Sequence, residues 1–159
     1  MSVTVLPVTT PEQMSAARRI RREVFIDEQG VKEAEEMDGL DDAPSTRHVL
    51  AFDSDHSAIG TARLLVERPG LVHIGRVAVL PRARGRGTGT AIMTALEQLA
   101  SAEHADGTGQ VRIELSAQES ALEFYRHLGY EIAPDRYLDA RIWHQDAHKT
   151  LLPWKPPRS

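Results

Sequence analysis

A loop rich in arginine and glycine is the segment whose residue types and spacing are best suited to chemistry. It runs from Leu80 to Thr90 and reads LPRARGRGTGT. Glycine lets a backbone turn its N–H groups toward a ligand, and the first turn of a helix leaves its N–H groups unpaired beside a partial positive charge. An apolar strand precedes the loop and a helical pattern follows it. The segment therefore predicts a binding site for a phosphate group, and a pyrophosphate is the ligand that we expect.

Two familiar phosphate-binding motifs do not fit this loop. A Walker-type loop requires a lysine after its last glycine, and the loop contains no lysine. A dinucleotide fingerprint requires glycine at the third motif position, which Thr90 occupies here. A third interpretation is an arginine-glycine turn that only joins a strand to a helix.

The spacing Arg84-x-x-Gly87-x-Gly89 resembles motif A of the GNAT family of N-acetyltransferases. The resemblance implies that the loop amides hold the pyrophosphate of acetyl-CoA and that the preceding strand pairs with the pantetheine arm. The residues implied to bind acetyl-CoA in this way are Val77, Ala78, Val79, Arg84, Gly85, Arg86, Gly87, Thr88, Gly89 and Thr90. We expect the sheet to open after Val79, so that the thioester lies in the gap.

A second segment, from Gln118 to Tyr130, resembles motif B of the same family. Gln118 stands where the family usually has asparagine, followed by Ala121 and Tyr125 at the family's spacing. The resemblance assigns all three residues to acetyl-CoA binding and gives Tyr125 the catalytic role of donating a proton to the departing sulfur. A tyrosine of pKa ~10 remains protonated at neutral pH and can do so. The alternative is that Tyr125 packs a short helix beside Phe124.

An acidic segment provides the candidate residues for the acceptor. Eight of the sixteen residues from Asp27 to Asp42 are aspartate or glutamate, and a solvated loop is one interpretation of them. The sequence VFIDEQ at its start resembles the ElaA/YjcF-like branch of the GNAT family, as does a late histidine. The resemblance places Glu28, Gln29 and His144 on the acceptor side of the site, with Arg141 where that branch usually has glycine.

The pattern of elements predicts a mixed α+β fold of GNAT type, with a mostly antiparallel sheet of six to seven strands and three to four flanking helices. Alternating or β-branched segments predict strands at Ser2–Val8, His48–Phe52, Ala58–Val66, Leu71–Val79 and Val111–Leu115, with further strands from Tyr130 and within Arg141–Leu152. Helical spacing predicts helices from a Thr10 cap to Phe25, across Ile92–Ala100, and across Glu119–Leu128.

Composition narrows the function further. The chain has 159 residues, which we interpret as one acetyltransferase domain spanning 1–159, and a formal charge of −4 that does not favour a nucleic-acid partner. Cysteine is absent, and the seven histidines lack metal-ligand spacing, so we expect no metal. No apolar run approaches ~18 residues, and we expect a cytoplasmic protein without a membrane partner. A homodimer is possible, with the tail around Trp154 as a contact.

Together these features indicate an acyltransferase that moves an acetyl group from acetyl-CoA to a primary amine by direct attack in a ternary complex. A non-catalytic acyl-CoA-binding sensor or scaffold is the main alternative. An acyl-homoserine-lactone-synthase-like enzyme is a more distant one. RNA binding through the arginines is disfavoured, because no aromatic side chains for stacking accompany them in the loop. Those arginines are Arg76, Arg82, Arg84 and Arg86.

Overall fold

The computed structural model describes residues 2–153, which form one seven-stranded sheet with four α-helices. The strands are β1 Thr4–Pro7, β2 Arg47–Phe52, β3 Ala58–Arg68, β4 Leu71–Val79, β5 Val111–Gln118, β6 Glu131–Asp139 and β7 Ile142–Leu151. The helices are α1 Pro11–Arg21, α2 Glu33–Glu36, α3 Thr88–Glu103 and α4 Leu122–His127. The mixed α+β fold predicted from the sequence is confirmed.

The strands lie in the order β1-β2-β3-β4-β5-β7-β6. Every neighbouring pair is antiparallel except β4 and β5, which are parallel and are linked through α3. That crossover places the loop behind β4 and the start of α3 next to the C-terminal end of β4, in the middle of the strand order. Ligands of open α/β sheets bind outside the carboxyl ends of the strands, which is where this loop lies.

Helices cover both faces of the sheet because the strands alternate their buried side chains. On one face, Ile92, Met93 and Leu96 of α3 pack into the larger core cluster with Val49 of β2. On the other face, Ala17 and Ile20 of α1 pack against the neighbouring β2 residue Leu50, together with Ala78 and Leu80. The two clusters therefore pack against opposite faces of the sheet at its centre.

The predicted start of α1 is confirmed. The Thr10 side chain accepts a hydrogen bond from the Gln13 backbone, the Gln13 side chain accepts one from the Thr10 backbone, and Pro11 occupies the first turn. The helix does not end at Phe25 as expected. It continues as a π-helical segment over Arg22–Glu28 before the chain turns at Gly30. Segments of this kind are rare and often occur at functional sites.

The structure describes the C-terminal tail only as far as Pro153. The expected contact of Trp154 therefore lies outside the described residues. Within residues 2–153, no helix is both long and apolar enough to cross a membrane.

Candidate active site

The loop between β4 and α3 presents a row of free backbone donors. Within residues 2–153, the six N–H groups of residues 85–90 donate to no backbone carbonyl, and the first i→i−4 bond of α3 is donated by Ala91 to Gly87. No side chain caps the helix, because its N-cap is Gly87. Six such donors at the positive end of a 16-residue helix are an arrangement suited to binding an anion.

The glycines of this loop serve two different purposes. Gly85 and Gly87 have φ of 77° and 79°, and space is open where a Cβ would stand, so they allow the backbone to turn its amides outward. Gly89 instead allows close packing, because a Cβ there would lie 3.0 Å from Cζ of Phe124. The start of α3 thereby rests directly on α4.

The three arginines of the loop differ in their surroundings. The Arg84 guanidinium donates through Nη1 and Nη2 to the two carboxylate oxygens of Glu28, each at 2.7 Å, and through Nε to the Val79 carbonyl at 3.0 Å. Arg82 lies 3.7 Å from the Asp53 carboxylate. Arg86 is exposed and forms no salt bridge within residues 2–153. Arg84 therefore braces the loop, and Arg86 is the loop arginine left free for a ligand.

A cleft opens between β4 and β5 because the two strands diverge. Within the described residues they pair only over Leu71–His73 and Arg112–Glu114, although β4 continues to Val79. The expectation that the strands separate after Val79 is wrong, since separation begins directly after His73. The widened gap exposes backbone edges on both walls over several residues.

A bulge shapes the β4 wall of this cleft. Between the pairs Thr61–Ala78 and Arg63–Gly75, two β4 residues, Arg76 and Val77, stand opposite one β3 residue, and Arg76 has φ of 53°. Val77 lines the cleft, whereas the Ala78 side chain is buried against α1. Only the backbone of Ala78 is therefore placed to meet a ligand.

A pocket of about 240 Å³ lies in the cleft beside this bulge. Its walls include six residues that the resemblance assigns to the site: Gln29, Val77, Gln118, Ala121, Tyr125 and His144. The predicted residue Glu28 lies outside the pocket walls, on Arg84. The loop between β4 and α3 also lies outside the pocket walls. One long ligand would have to span both places.

Tyr125 stands in the pocket wall on α4 and is 7% exposed. Its ring makes edge contacts with Phe124 and Tyr130 at centroid distances of 5.0 Å and 5.8 Å. Burial raises the pKa of the Tyr125 hydroxyl to about 12, which keeps it protonated. Tyr130 donates to Glu97, but within residues 2–153 the Tyr125 hydroxyl has no such partner.

Gln29 and Gln118 face each other across the cleft. Gln118 Nε2 donates to Gln29 Oε1 at 2.8 Å, and Gln29 Nε2 donates to Gln118 Oε1 at 3.3 Å. Each side-chain amide has two N–H groups and two lone pairs on its oxygen, so each keeps one donor and one acceptor site free. The longer side chain at position 118 thus reaches the π-helical segment and can still bind a second partner.

His144 lies on β7 opposite Gln118 of β5 and Tyr137 of β6. It is 8% exposed and lines the pocket, and its Nδ1 lies 2.7 Å from the Ile142 carbonyl. The turn before it has Ala140 and Arg141 at φ of 49° and 67°. Arg141 therefore adopts the left-handed conformation that glycine would favour.

The side chain of Arg141 also ties this hairpin to the acidic segment. It donates to both carboxylate oxygens of Glu35, at 3.2 Å and 3.0 Å, and to the Gly30 carbonyl at 3.1 Å. That hydrogen bonding lowers the pKa of Glu35. Arginine at this position thus holds the pocket rim together in a way that glycine could not.

Sequence reasoning missed a row of polar residues beside His144. The Tyr137 hydroxyl donates to Asp146 at 2.6 Å and is hydrogen-bonded to Ser116, while its ring stacks on His144 at a centroid distance of 5.9 Å. Ser116 also lines the pocket. The two-residue alternation of β5 and β7 is the signal that could have placed Ser116 beside Gln118 and Asp146 beside His144.

The acidic segment is not simply a solvated loop. Glu36 and the Asp41 side chain are only 7% and 9% exposed, and both pair with Arg21, which is 1% exposed. Arg63 on β3 binds Asp41 at 3.0 Å and also binds Asp38. The interpretation as solvated is therefore wrong for these residues, because buried arginines on α1 and β3 need carboxylate partners.

One group of side chains has the composition of a metal site. Ligand atoms of Glu67, His73 and Glu114, on the neighbouring strands β3, β4 and β5, lie within 4.8 Å of one another. His73 Nε2 is already 2.6 Å from Glu67, and Glu114 accepts from Arg112 at 3.1 Å. An ion-paired surface row accounts for all three residues, and the cluster lies outside the pocket walls.

The sequence matches the acetyltransferase (GNAT) family model over residues 14–130, and the chain belongs to this family. A relative named an uncharacterized N-acetyltransferase YjcF, from Bacillus subtilis, is 36% identical over 84% of this chain and 89% of its own length. The resemblance stated from the two motifs and from the ElaA/YjcF-like segment is confirmed.

Solved structures support the same assignment. An acyl-CoA N-acyltransferase from Pseudomonas aeruginosa is 30% identical with a TM-score of 0.79, covering 93% of this chain and 99% of its own. ElaA from Escherichia coli is 26% identical with a TM-score of 0.78, covering 94% of this chain and 99% of its own. Both share nearly the whole described fold.

Proposed function

We propose that the protein transfers an acetyl group from acetyl-CoA to a primary amine of a small molecule or peptide. The observation that carries this proposal is the row of six free N–H groups over residues 85–90, next to a cleft between diverging strands. The row suits a diphosphate, and the open edges of β4 and β5 suit the amide groups of a pantetheine arm. Tyr125 stands where the thioester would end.

The chemistry follows from the pocket walls. The amine nitrogen attacks the thioester carbon, the C–N bond forms, and the C–S bonding pair leaves on sulfur. The protonated Tyr125 hydroxyl is suited to donate to that sulfur, which makes the thiol a better leaving group. Glu35, Glu36 and Asp139 also line the pocket and outnumber Arg76 there, which leaves net negative charge to attract an ammonium group.

Two measurements test the proposal. Titration calorimetry should show that coenzyme A binds much more tightly than pantetheine, which lacks the pyrophosphate. A thiol-release assay should then show turnover of acetyl-CoA with at least one member of a panel of primary amines. Tight binding without turnover would favour the non-catalytic sensor or scaffold, and equal affinity for coenzyme A and pantetheine would contradict the pyrophosphate site.

A matched pair of glycine variants tests the loop. Gly87→Ala places a side chain at φ of 79° and should weaken coenzyme A binding about tenfold, because left-handed backbone costs an L-residue ~1–2 kcal/mol. Gly39→Ala is the control, because it also places a side chain in open space on left-handed backbone, at φ of 78°, but in the acidic segment. The affinity of this variant for coenzyme A should match that of the wild type.

A further inference from the structure

A primary amine arrives at neutral pH as an ammonium ion of pKa ~10 and must lose a proton before it can attack. We infer that His144 is the proton acceptor, through its Nε2 atom. This inference rests on the proposed acetyl transfer and names the base for that reaction. Three features of the structure support it: the tautomer of the ring, its place in the pocket, and the engagement of the other bases there.

The backbone fixes the tautomer of His144. The Ile142 carbonyl oxygen can only accept a hydrogen bond, so the Nδ1 atom 2.7 Å away carries the hydrogen. In the neutral ring the lone pair then resides on Nε2. Within residues 2–153 that atom has no hydrogen-bond partner, in contrast to Nε2 of His48 and His148, which lie 3.0 Å and 2.9 Å from a partner oxygen.

The ring is held in place on the acceptor side of the pocket. Tyr137 stacks on it with an interplanar angle of 19°, and the Tyr137 hydroxyl is itself fixed by Asp146 and Ser116. Both His144 and Tyr125 line the same pocket. A proton acceptor and a proton donor therefore face one cavity from β7 and α4, on either side of the expected position of the thioester.

The carboxylates of the pocket are less suited than His144 to accept the proton. Glu35 is held by two hydrogen bonds from Arg141, which lower its pKa. Glu36 is bound to Arg21 at 2.5 Å and lies 3.5 Å from Arg76. Asp139 lines the pocket on the exposed end of β6. Asp139 pairs with no arginine within residues 2–153, but it is exposed to solvent. His144 is thus the buried base of the pocket whose accepting atom no arginine engages.

The proton balance is complete with these two residues. Nε2 takes one proton from the ammonium group and passes it to solvent. The nitrogen lone pair forms the C–N bond, the C–S bonding pair moves to sulfur, and the sulfur takes the Tyr125 proton. The second proton of the amine nitrogen returns to Tyr125, and the third stays on the amide product.

The test compares His144→Gln with His148→Gln, using the amine that the wild type acetylates fastest. His148 lies four residues along β7, pairs with Glu131 at 2.9 Å and is not in the pocket walls. At pH 7.5, His144→Gln should lose about a hundredfold or more in kcat, as expected for a general base, and keep its acetyl-CoA affinity. His148→Gln should retain wild-type kcat.

Two readouts separate a base from a structural role. The deficit of His144→Gln should shrink as pH rises toward 9.5, since more of the acceptor is already neutral. Added imidazole should restore part of the turnover of His144→Ala. Full wild-type kcat in His144→Gln, or a deficit independent of both pH and imidazole, would overturn the inference while leaving acetyl transfer by the wild type intact.

A readout without catalysis keeps the two proposals distinguishable. Long-range ¹H–¹⁵N spectra of the apo-protein should show the neutral His144 ring with its hydrogen on Nδ1. A hydrogen on Nε2 would overturn the assignment of the base whatever the acceptor is. Failure of the wild type to acetylate any amine would instead contradict the proposed function.

Discussion

The carboxylate of Glu28 and the guanidinium of Arg84 form a two-pronged ion pair, with both Nη–Oε distances at 2.7 Å. The pair joins the end of the π-helical segment to the loop between β4 and α3, 56 residues away in sequence. The next residue, Gln29, binds Gln118 on the opposite wall of the cleft. Two adjacent residues of the acidic segment therefore hold both walls of the cleft in which we propose that acetyl-CoA binds.

The Glu28–Arg84 pair predicts that the two residues act as one unit. Glu28→Ala and Arg84→Ala should each weaken coenzyme A binding about threefold to fivefold, since half-exposed ion pairs contribute ~1 kcal/mol or less. The double variant should be little worse than either single variant, because each change removes the same brace. Titration calorimetry of the four proteins measures the coupling.

The same cycle tests whether Arg84 contacts phosphate directly. In that case Glu28→Ala would free the guanidinium and tighten binding, while Arg84→Ala would weaken it. Arg86→Ala provides the comparison, since Arg86 forms no salt bridge within residues 2–153. Its loss should lower affinity and flatten the salt dependence of binding without involving Glu28.

Tyr125→Phe removes only a hydroxyl from the pocket. We expect kcat to fall about a hundredfold, the lower end for loss of a general acid, with the affinity for acetyl-CoA unchanged. The Tyr125 pKa of about 12 further predicts that the wild type shows no loss of its acid between pH 7 and 9.5. Stopped-time thiol release across that range measures both effects.

Tyr130→Phe is the matched control for Tyr125→Phe. In the wild type, the Tyr130 ring packs against Tyr125 at 5.8 Å between centroids. The Tyr130 hydroxyl donates to Glu97, which lies outside the pocket walls. This variant should lower stability by ~1 kcal/mol, the typical contribution of one hydrogen bond, and leave kcat unchanged. Equal losses of kcat in the two variants would show that packing, not proton donation, explains the effect.

The sequence carried enough information to predict the elements and the shape of the loop between β4 and α3, because both depend on local chemistry. The helix cap at Thr10 and the alternation of β5 follow from neighbouring residues. The free amides of the loop could be predicted because they arise from glycine spacing and a helix start. Sheet order and the divergence after His73 could not, because they depend on which strands meet and where they stop pairing.

Contacts between distant residues explain the parts of the candidate site that sequence reasoning could not supply. Glu28 pairs with Arg84 outside the pocket walls, and no local pattern marks that pair. The acidic segment resembled a solvated loop because its partners, Arg21 and Arg63, belong to other elements. Gly89 matched a motif that predicts close approach to a ligand, whereas the structure adds packing against Phe124 as a second reason for glycine.

Gly89→Ala should damage both stability and catalysis. Its Cβ would lie 3.0 Å from Cζ and 3.3 Å from Cε1 of Phe124, next to Tyr125 on α4. Overpacking of this kind costs ~1–3 kcal/mol, and relief would require α4 to move together with Tyr125, the proposed proton donor. Phe124→Leu in the same chain should restore both Tm and kcat. Gly107→Ala, in open space, should change neither.

The buried charges around Asp41 determine how stability responds to acid. Burial alone would raise the pKa of Asp41, but hydrogen bonds and charge from Arg21 and Arg63 more than offset it and lower the pKa. A lowered carboxyl pKa stabilises the fold above the unfolded-state value near ~4, and this stabilisation is lost as pH falls through the folded-state value. Burial lowers the pKa of His48. The contribution of its neutral ring to the free energy of unfolding therefore declines as pH falls below the unfolded-state pKa of ~6.5.

Asp41→Asn and Asp42→Asn test this cluster with the same chemical change at adjacent positions. The Asp41 side chain is 9% exposed and contacts two buried arginines, whereas that of Asp42 is 89% exposed and lies 3.4 Å from Arg18. Asp41→Asn removes one carboxylate from both Arg21 and Arg63, which keep only Glu36 and Asp38 within the described part of the chain, and leaves surplus buried positive charge, so we expect a loss of about 3 kcal/mol. For a chain of this size that is a fall of roughly 6–12 °C in Tm at pH 7.

Thermal unfolding at pH 7 and at pH 3 separates charge pairing from packing. Asp42→Asn should match the wild type within ~0.5 kcal/mol at both pH values, because exposed pairs contribute little. The gap between Asp41→Asn and the wild type should narrow at pH 3, since pH 3 lies below the unfolded-state pKa of ~4 and the stabilisation from the lowered pKa of Asp41 is reduced there. A gap that is the same at both pH values would mean that Asp41 stabilises the fold through its shape and hydrogen bonds, with no contribution from its charge.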